Sequence, residues 1–502
     1  MKRNVHGRPA PLHQALRLAL CIAFAGASFA SARQGEPPYS LAHPQSATST
    51  VPIEDVGSID AAQRRAETGT RTLSAAAPTK RLATSDIIDV SIDSADDGIW
   101  QLLPDGSRLW RVRLRASGAT DLRFGFSRFD VPPNAALYLI GADNYYQGPY
   151  TAADAAGGRF HSSIVPGDTA TIELRLPAGV APSSGIEIAT IGAGFRDLFK
   201  RTLDTGLGTS GPCNVNVVCP PGQPYPDEIR AVGYYEFVDD VEHGTFICSG
   251  TLLADVPQDR KNYFLTAAHC ISRQSEADSM VVYWNYQSTT CSGLSPPGGG
   301  FLNDDQHAAT LRASRADADF ALVELADTPN AAWDVYYAGW DATGATPSGT
   351  IGLHHPSGDA KKITSGPMPG TIDNCIGTGG VNTHWETGPY LEGTTEDGSS
   401  GSGLFVVAGN GGGHDKLLIG TLSGGYAACS DSNPSQPNDE TDCYGKLAIG
   451  WTGSSASARL RDWLDPRNSG ALISLGIDSQ ESAAQVGHSR HQRPTRSAGS
   501  RD

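Results

Sequence analysis

"TEDGSSGSGLF", residues 395–405, sets two adjacent serines among glycines and runs straight into an apolar pair. A core strand has no need of so many residues without side-chain bulk. A plain surface turn has no need to end in Leu404 and Phe405. Glycine allows backbone angles that expose a serine and let a substrate come close. Ser399 or Ser400 is therefore a candidate nucleophile, and the backbone N–H groups of Gly398 and Ser400 are candidate donors to an oxyanion. A serine hydroxyl is a weak nucleophile, so it needs a base and a group that orients the base.

"LTAAHC" (265–270) offers His269 as the base, at the end of an apolar strand and next to Cys270, which could pin the loop through a disulfide. His354 and His355, in "GLHHPSG", compete with it. Paired histidines suggest a metal, but no third ligand stands at a recognisable spacing, so they read as a structural turn before Pro356. No metal and no cofactor are expected. "DADFALVEL" (317–325) offers the orienting carboxylate. Asp319 stands directly before a strand with apolar Phe320, Leu322 and Leu325, while Asp317 is the alternative and reads as solvent-facing. Each segment alone is a weak signal. Together they give the order His, Asp, Ser, which is that of the chymotrypsin triad.

The chain has 502 residues, which implies more than one domain. Its 38 basic against 54 acidic residues give a formal charge of −16. Such a surface repels nucleic acid and anionic lipid, so neither is an expected partner. Lys2, Arg3, Arg8 and Arg17 lead into "LALCIAFAGASFA" (18–30), and Ala30-Ser31-Ala32 suits a signal peptidase. Residues 1–32 therefore read as a signal peptide, and the protein as secreted. Beyond Cys21, the eight cysteines 213, 219, 248, 270, 291, 375, 429 and 443 are an even number in an exported chain, which implies four disulfides among 105 pairings. No C-x-x-C pair occurs.

Residues 33–85, rich in Ala, Ser, Pro, Thr and Gln, read as a low-complexity linker. Over 86–195 the text alternates in period two, as in "RLWRVRLRA" (108–116) and "ATIELRLP" (170–177), with "AALYLIGA" and "GIEIATIGA" as further strands. A cysteine-free β-sandwich is expected. Residues 196–212 carry Lys200 and Arg201 among turn formers and read as an exposed linker, where the chain could be cut. The part from 213 to 478 holds "YFLTAAH", "SMVVYW", "FALVEL", "GLFVVAG" and "LLIGTLSGG" as strands, with "ASARLRDWL" (456–464) as its one helix. An all-β domain of barrels follows. Residues 479–502 read as a disordered tail.

From about Gly208 to 478 the chain resembles the bacterial lysyl endopeptidases (Achromobacter protease I-like), serine proteases of the chymotrypsin fold. The likeness is carried by "CNVNVVCPPG", "RKNYFLTAAHC", "VVYWNYQSTTC", "DFALVEL", "YYAGWD", "IGLHHPSG", "GSSGS", "YGK" and "WTGSSASARLRDWLDP". It implies a double β-barrel with a C-terminal helix, preceded by a pro-region. It makes Ser400, the second serine of G-S-S-G-S, the nucleophile, with His269 and Asp319 as its partners. Ser399 takes a place where many relatives carry the aspartate that pairs with a new N-terminus, so activation is expected to mean removal of a covering pro-domain. The mature start is expected near Gly208. The resemblance also implies the disulfides Cys213–Cys429, Cys219–Cys291 and Cys248–Cys270, which leaves Cys375 and Cys443 to pair.

The resemblance also implies the specificity residue: in "ETDCYGKLAIGWTG" (440–453) Asp442 stands where the family places its specificity aspartate, at the base of the pocket for the residue before the scissile bond, where it would hold a Lys or Arg charge. Ser423 and Gly424, in "LSGGY", are expected to form a pocket wall and to pair with substrate backbone. Ser423 stands where the family's lysine specialists carry histidine, and Cys375 near where they carry tryptophan. Arg is therefore expected to be accepted beside Lys. The expected partners are peptide or protein substrates with Lys or Arg and the chain's own pro-domain, and a monomer is expected. The rival readings are a glutamyl-type or broad-specificity serine protease and a non-catalytic binding protein of protease fold.

Overall fold

The alternation in residues 108–116 turns Trp110, Val112, Leu114 and Ala116 to one side of the strand Arg108–Ser117, where all four are buried. That face needs a second apolar layer. The computed structural model describes residues 35–480 except 46, 48–49, 69–77, 184, 200–209, 292–301, 303, 374, 378–379 and 410–413, and it shows that layer. One sheet runs in the order Ile53–Ser58, Arg108–Ser117, Thr169–Leu176, Ala136–Ile140, Tyr146–Tyr150, with Ile99–Leu102 also on Arg108–Ser117. The other carries Leu82–Asp93, Ile186–Gly194 and Asp121–Phe129 side by side. Phe124, Phe126, Leu139, Ile172, Ile188 and Ile191 join Trp110 and Val112 in the shared core. The N-terminal part is a β-sandwich.

Two barrels follow. The first is a ring of Val232–Asp239, Gly244–Leu252, Tyr263–Thr266, Phe320–Leu325, residues 305–315 and Val281–Tyr283. It closes because residues 305–315 are split by Ala308, which has φ 59°. Asp305–His307 pairs with Val281–Tyr283, and Ala309–Arg315 pairs with Phe320–Leu325. The second barrel is likewise closed by two consecutive strands that pair with different neighbours, here separated by residues 367–369. Lys362–Gly366 pairs with Thr350–His354, and Gly370–Ile372 pairs with His384–Thr387. Gly403–Val406, Leu418–Gly425 and Asp442–Lys446 complete its wall. Between the barrels lies an apolar seam that includes Leu265, Phe320, Leu322, Trp340, Phe405 and Leu418. The fold is all-β, with the expected double barrel of the chymotrypsin type.

Four disulfides join Cys213–Cys429, Cys219–Cys291, Cys248–Cys270 and Cys375–Cys443. Among the described residues, no helix is long and apolar enough to cross a membrane.

Several expectations change. Residues 33–85 are not featureless. Ile53–Ser58 is a strand parallel to Arg108–Ser117. Ala61–Thr68 is a helix whose first turn is capped by Asp60, which accepts from Gln63 N at 2.9 Å. The strand Leu82–Asp93 starts before residue 86. The first of these strands has no apolar period of its own and owes its order to a partner far along the chain. In the 196–212 linker, Asp197 and Leu198 are buried. Leu198 packs with Leu82, Tyr234 and Ile247. Lys200, Arg201 and Gly208 lie outside the described residues, as do the signal segment and residues 481–502. The expected helix at 456–464 is two short turns, Ala456–Ala458 and Arg461–Leu464. The extended backbone of Arg459 separates them, and its guanidinium turns to Asp462 at 2.8 Å. The short helices Tyr39–Ala42, Pro226–Ala231, Gln274–Asp278 and Leu447–Gly450 were not anticipated either.

The strand Leu82–Asp93 belongs to the sandwich through Ile186–Gly194. Its first half also pairs antiparallel with the first barrel, from Leu82 opposite Ile247 to Asp86 opposite Gly244. A single twelve-stranded sheet therefore runs from the sandwich into that barrel.

Candidate active site

Strand Tyr263–Thr266 delivers a tight turn that ends in His269. Cys270 ties the turn to Cys248 in the neighbouring strand. Across the barrel, Asp319 precedes strand Phe320–Leu325. Its Oδ1 accepts from His269 N at 3.0 Å, and its Oδ2 lies 2.9 Å from His269 Nδ1. His269 Nε2 is 2.7 Å from Ser400 Oγ. With the Nδ1 proton on the Asp319 side, Nε2 is left to accept from the Ser400 hydroxyl. Asp317, the alternative carboxylate, is half-exposed and pairs with Arg315.

The Ser400 turn bridges both barrels. Ser400 O accepts from Ser249 N at 2.8 Å, and Gly401 N donates to Leu422 O at 2.8 Å. Gly398 has φ 97° and Gly401 φ 79°. A Cβ on Gly398 would lie 2.8 Å from His355 O. Ser399 points away from His269. Its hydroxyl meets His354 Nδ1 at 2.8 Å and accepts from Glu396 N at 3.1 Å. Burial, with Lys80 and Lys362 nearby, pushes His354 down to about 3, so it is neutral. His355 Nδ1 donates to the carbonyl of Asp359 at 3.0 Å, and its ring stacks on Tyr286. Both histidines are buried supports of the turn. Among the described residues, no group of three or more His, Cys, Asp and Glu could hold a metal ion.

The site is filled by the chain itself. Lys80 O accepts from Gly398 N at 2.5 Å and Ser400 N at 3.2 Å, so the two predicted donors converge on one carbonyl. Lys80 N donates to Ser400 Oγ at 2.9 Å. Two residues back, Pro78 O accepts from Gly425 N at 3.1 Å, and Thr79 forms an antiparallel bridge with Gly424. On the other side, Leu82 pairs with Ile247. Residues 78–82 thus cross the cleft as an extended strand, with the Lys80 carbonyl between the two N–H donors. Ser400 is completely buried beneath them.

The Lys80 side chain enters a closed pocket. Its Nζ lies 2.8 Å from Asp442 Oδ1, and both side chains are 0% exposed. The ammonium also donates to Ala427 O at 2.8 Å and to the hydroxyl and carbonyl of Thr395. Asp442 is satisfied from the far side as well, by Tyr390 OH at 3.0 Å and the Thr395 hydroxyl. Burial first, then Asp442, raises the Tyr390 phenol well above its ordinary value, so it stays a donor. A buried carboxylate ringed by donors is poised to take one cation.

The structure therefore brings together His269, Asp319, Ser400, Gly398, Gly424 and Asp442. Ser423 is beside the pocket, but its hydroxyl turns to His384 Nε2 at 3.1 Å instead of to residues 78–80. An imidazole thus does lie next to residue 423, brought by a strand elsewhere in the sheet. Cys443 stands opposite Gly424, so the Cys375–Cys443 bridge backs that wall. Sequence reasoning missed Thr395, Tyr390 and Ala427. Thr395 stands in the quoted stretch itself, but its approach to Asp442 is a contact across 47 residues.

Residues 207–445 match the family model described as lysyl endopeptidase, C-terminal domain, and residues 59–190 match that for the lysyl endopeptidase N-terminal domain. The lysyl endopeptidase of Pseudomonas aeruginosa is 31% identical over 351 residues, which cover 68% of this chain and 73% of that protein. Among solved structures, the active form of the Rv3671c protease from M. tuberculosis covers 48% of this chain and 91% of its own at 14% identity, with a TM-score of 0.29. An HtrA-type protease with a tripeptide covers 44% of this chain and 58% of its own at 16% identity, also with a TM-score of 0.29.

Proposed function

Because this chain belongs to the lysyl endopeptidase family and is a serine endopeptidase, we propose that it is made as an exported precursor and cuts peptide bonds after lysine. His269 acts as general base and then general acid. Asp319 holds its tautomer and steadies the imidazolium. Ser400 attacks the carbonyl carbon and forms the acyl-enzyme. The N–H groups of Gly398 and Ser400 hold the oxyanion, a role that their convergence on the Lys80 carbonyl supports. Four disulfides and the basic-then-apolar start of the chain support export.

One observation carries the specificity. A lysine of this chain, Lys80, has its ammonium on Asp442 while its carbonyl receives both oxyanion donors. An ammonium is a compact charge with three donors. Here it meets Asp442, Thr395 and Ala427 on different sides. A guanidinium is a larger planar fork, and Tyr390, hydrogen-bonded to both Asp442 and Tyr444, closes the end of the pocket against it. Arg is therefore the weaker substrate. A glutamyl side chain would bring a second carboxylate to Asp442, which disfavours the glutamyl reading.

The test compares matched peptide amides ending in Lys, Arg and Glu with the activated enzyme. Lys is expected to exceed Arg by roughly tenfold or more in kcat/KM, with Glu uncut. Asp442→Ala should lower kcat/KM for Lys by ~10²-fold or more, since the substrate cation is then buried unpaired. Unchanged cleavage in that variant would remove the pocket assignment. A serine-directed organophosphorus reagent that fails to label Ser400 would favour the binding-protein reading.

A further inference from the structure

The segment that fills the cleft has the shape of a substrate, and its reactive bond can be named. We propose that the Lys80–Arg81 peptide bond is a substrate of the chain's own Ser400, bound as a latch and cut slowly by self-cleavage. This rests on the reading above, in which Ser400 is the nucleophile and Asp442 receives lysine.

Three sets of contacts place that bond. On the acyl side, Pro78 and Thr79 pair with Gly425 and Gly424, and the Lys80 side chain fills the pocket. At the bond itself, the Lys80 carbonyl has both N–H donors, and Ser400 Oγ has His269 Nε2 at 2.7 Å. On the leaving side, Arg81 pairs with Asp239 at 3.1 Å and with Glu242, and its guanidinium lies 4.3 Å from the Phe246 ring centroid. An extended peptide added to both barrels at once is how a protease holds a substrate.

The chemistry balances without any further reactant but water. Ser400 Oγ bonds to the Lys80 carbonyl carbon as His269 takes the hydroxyl proton. The Lys80 C–N bond breaks, the proton passes to the Arg81 nitrogen, and an ester joins Lys80 to Ser400. Water, losing a proton to His269, then replaces the serine. The products are a Lys80 carboxylate, an Arg81 amine and restored Ser400.

The same contacts make the cut slow. Strand Leu82–Asp93 is held by Gly244–Leu252 on one edge and Ile186–Gly194 on the other. The Arg81 amine therefore stays beside the ester and competes with water for it. Both halves of the latch are held by pairing, so a cut within 196–212 would divide the chain without emptying the pocket. Release needs the sandwich to leave.

The experiment uses four full-length precursors: unaltered, Ser400→Ala, Lys80→Met and Lys80→Arg. N-terminal sequencing and mass spectrometry follow the chain over hours, and the organophosphorus reagent measures access to Ser400. The unaltered precursor should yield a new N-terminus at Arg81. Ser400→Ala should yield none. Lys80→Met should slow that cut ~10²-fold and admit the reagent ~10-fold faster, because its side chain cannot pair with Asp442. Lys80→Arg keeps the charge in a larger head group, so it should be cut at Arg81 but more slowly than the unaltered chain. Absence of the Arg81 terminus, or equal cutting and labelling in Lys80→Met, overturns the proposal while the activated enzyme still cuts lysyl amides. Failure of the activated enzyme on every amide, with Ser400 unlabelled, overturns the functional reading as well.

Discussion

Asp319 sits at φ 44°, in the left-handed region that side chains other than Asn, Asp and His rarely adopt. Such a conformation costs about 1–3 kcal/mol and persists only where its surroundings impose it. Here they do. The carboxylate takes both the backbone N–H and the ring of His269, and the Asp319 N–H returns to Ala316 O at 3.3 Å. Replacement by Asn would keep the shape and exchange an acceptor for a donor, turning the imidazole to its wrong tautomer. We expect Asp319→Asn to lower kcat on lysyl amides by on the order of 10⁴-fold with KM little changed. Steady-state kinetics on the activated enzyme would check this. A loss below tenfold would mean that Asp319 only packs. At this scale His269, Asp319 and Ser400 were legible, because each has a local setting: a strand end beside a cysteine, a strand start, a glycine turn. Thr395, Tyr390 and Ala427 were not, because nothing about their neighbours in sequence differs from ordinary loop text.

The turn 398–402 works as an element because it fits between two barrels with no spare space. A Cβ on Gly401 would lie 2.0 Å from Thr266 Oγ1 and 2.5 Å from Ser249 O, at a φ that already disfavours a side chain. Thr266 cannot yield easily, since its hydroxyl is held by Ser249 O at 3.0 Å and Tyr235 OH at 2.7 Å. Gly401→Ala should therefore destabilise the chain by about 2 kcal/mol or more and lower activity with it. Urea unfolding of the Ser400→Ala background, with and without the glycine change, measures the stability term free of self-cleavage. Strands were the elements most readable beforehand. "FALVEL" is the strand Phe320–Leu325 residue for residue, because it is apolar, short and bounded by turn formers. Ile53–Ser58 and the two-piece end at 456–464 were misread because each is decided by neighbours, a parallel partner in one case and the Arg459–Asp462 pair in the other.

Across the whole molecule, the sandwich meets the first barrel through buried polar groups as well as the shared sheet. Arg123 reaches Ser279 O, His307 Nδ1 meets His161 O at 2.8 Å, and Gln147 donates to Leu302 O at 3.3 Å. Asp121 lies at this junction. Burial foremost, then Glu236 of the barrel and Asp197 of the following segment, raise it to about 7, against the pull of the Thr120 hydroxyl. Its sign is plain. Below the ordinary carboxyl range near 3.8 it is protonated whether the chain is folded or not. As pH rises toward about 7, the unfolded chain gives up that proton and the folded chain keeps it, so stability from this group is lost across that window. Thermal melts of the Ser400→Ala precursor should fall from pH 5 to pH 8, and Asp121→Asn should flatten part of that fall. Parallel curves for the two chains would remove Asp121 as the cause.

The sequence by itself determined the fold class, the disulfide-bearing half and the three residues that the structure links by hydrogen bonds, His269, Asp319 and Ser400. Period-two apolar patterns and glycine turns act over a few residues, and their consequences are written where they occur. Only the tertiary structure decided what occupies the cleft. Lys80 is 320 residues from Ser400 and 362 from Asp442, in a stretch whose composition reads as linker. Its place is set by a strand through which the sandwich and the first barrel share one sheet, and by a buried charge that needs a counterpart. Neither of these leaves a mark on the residues beside it.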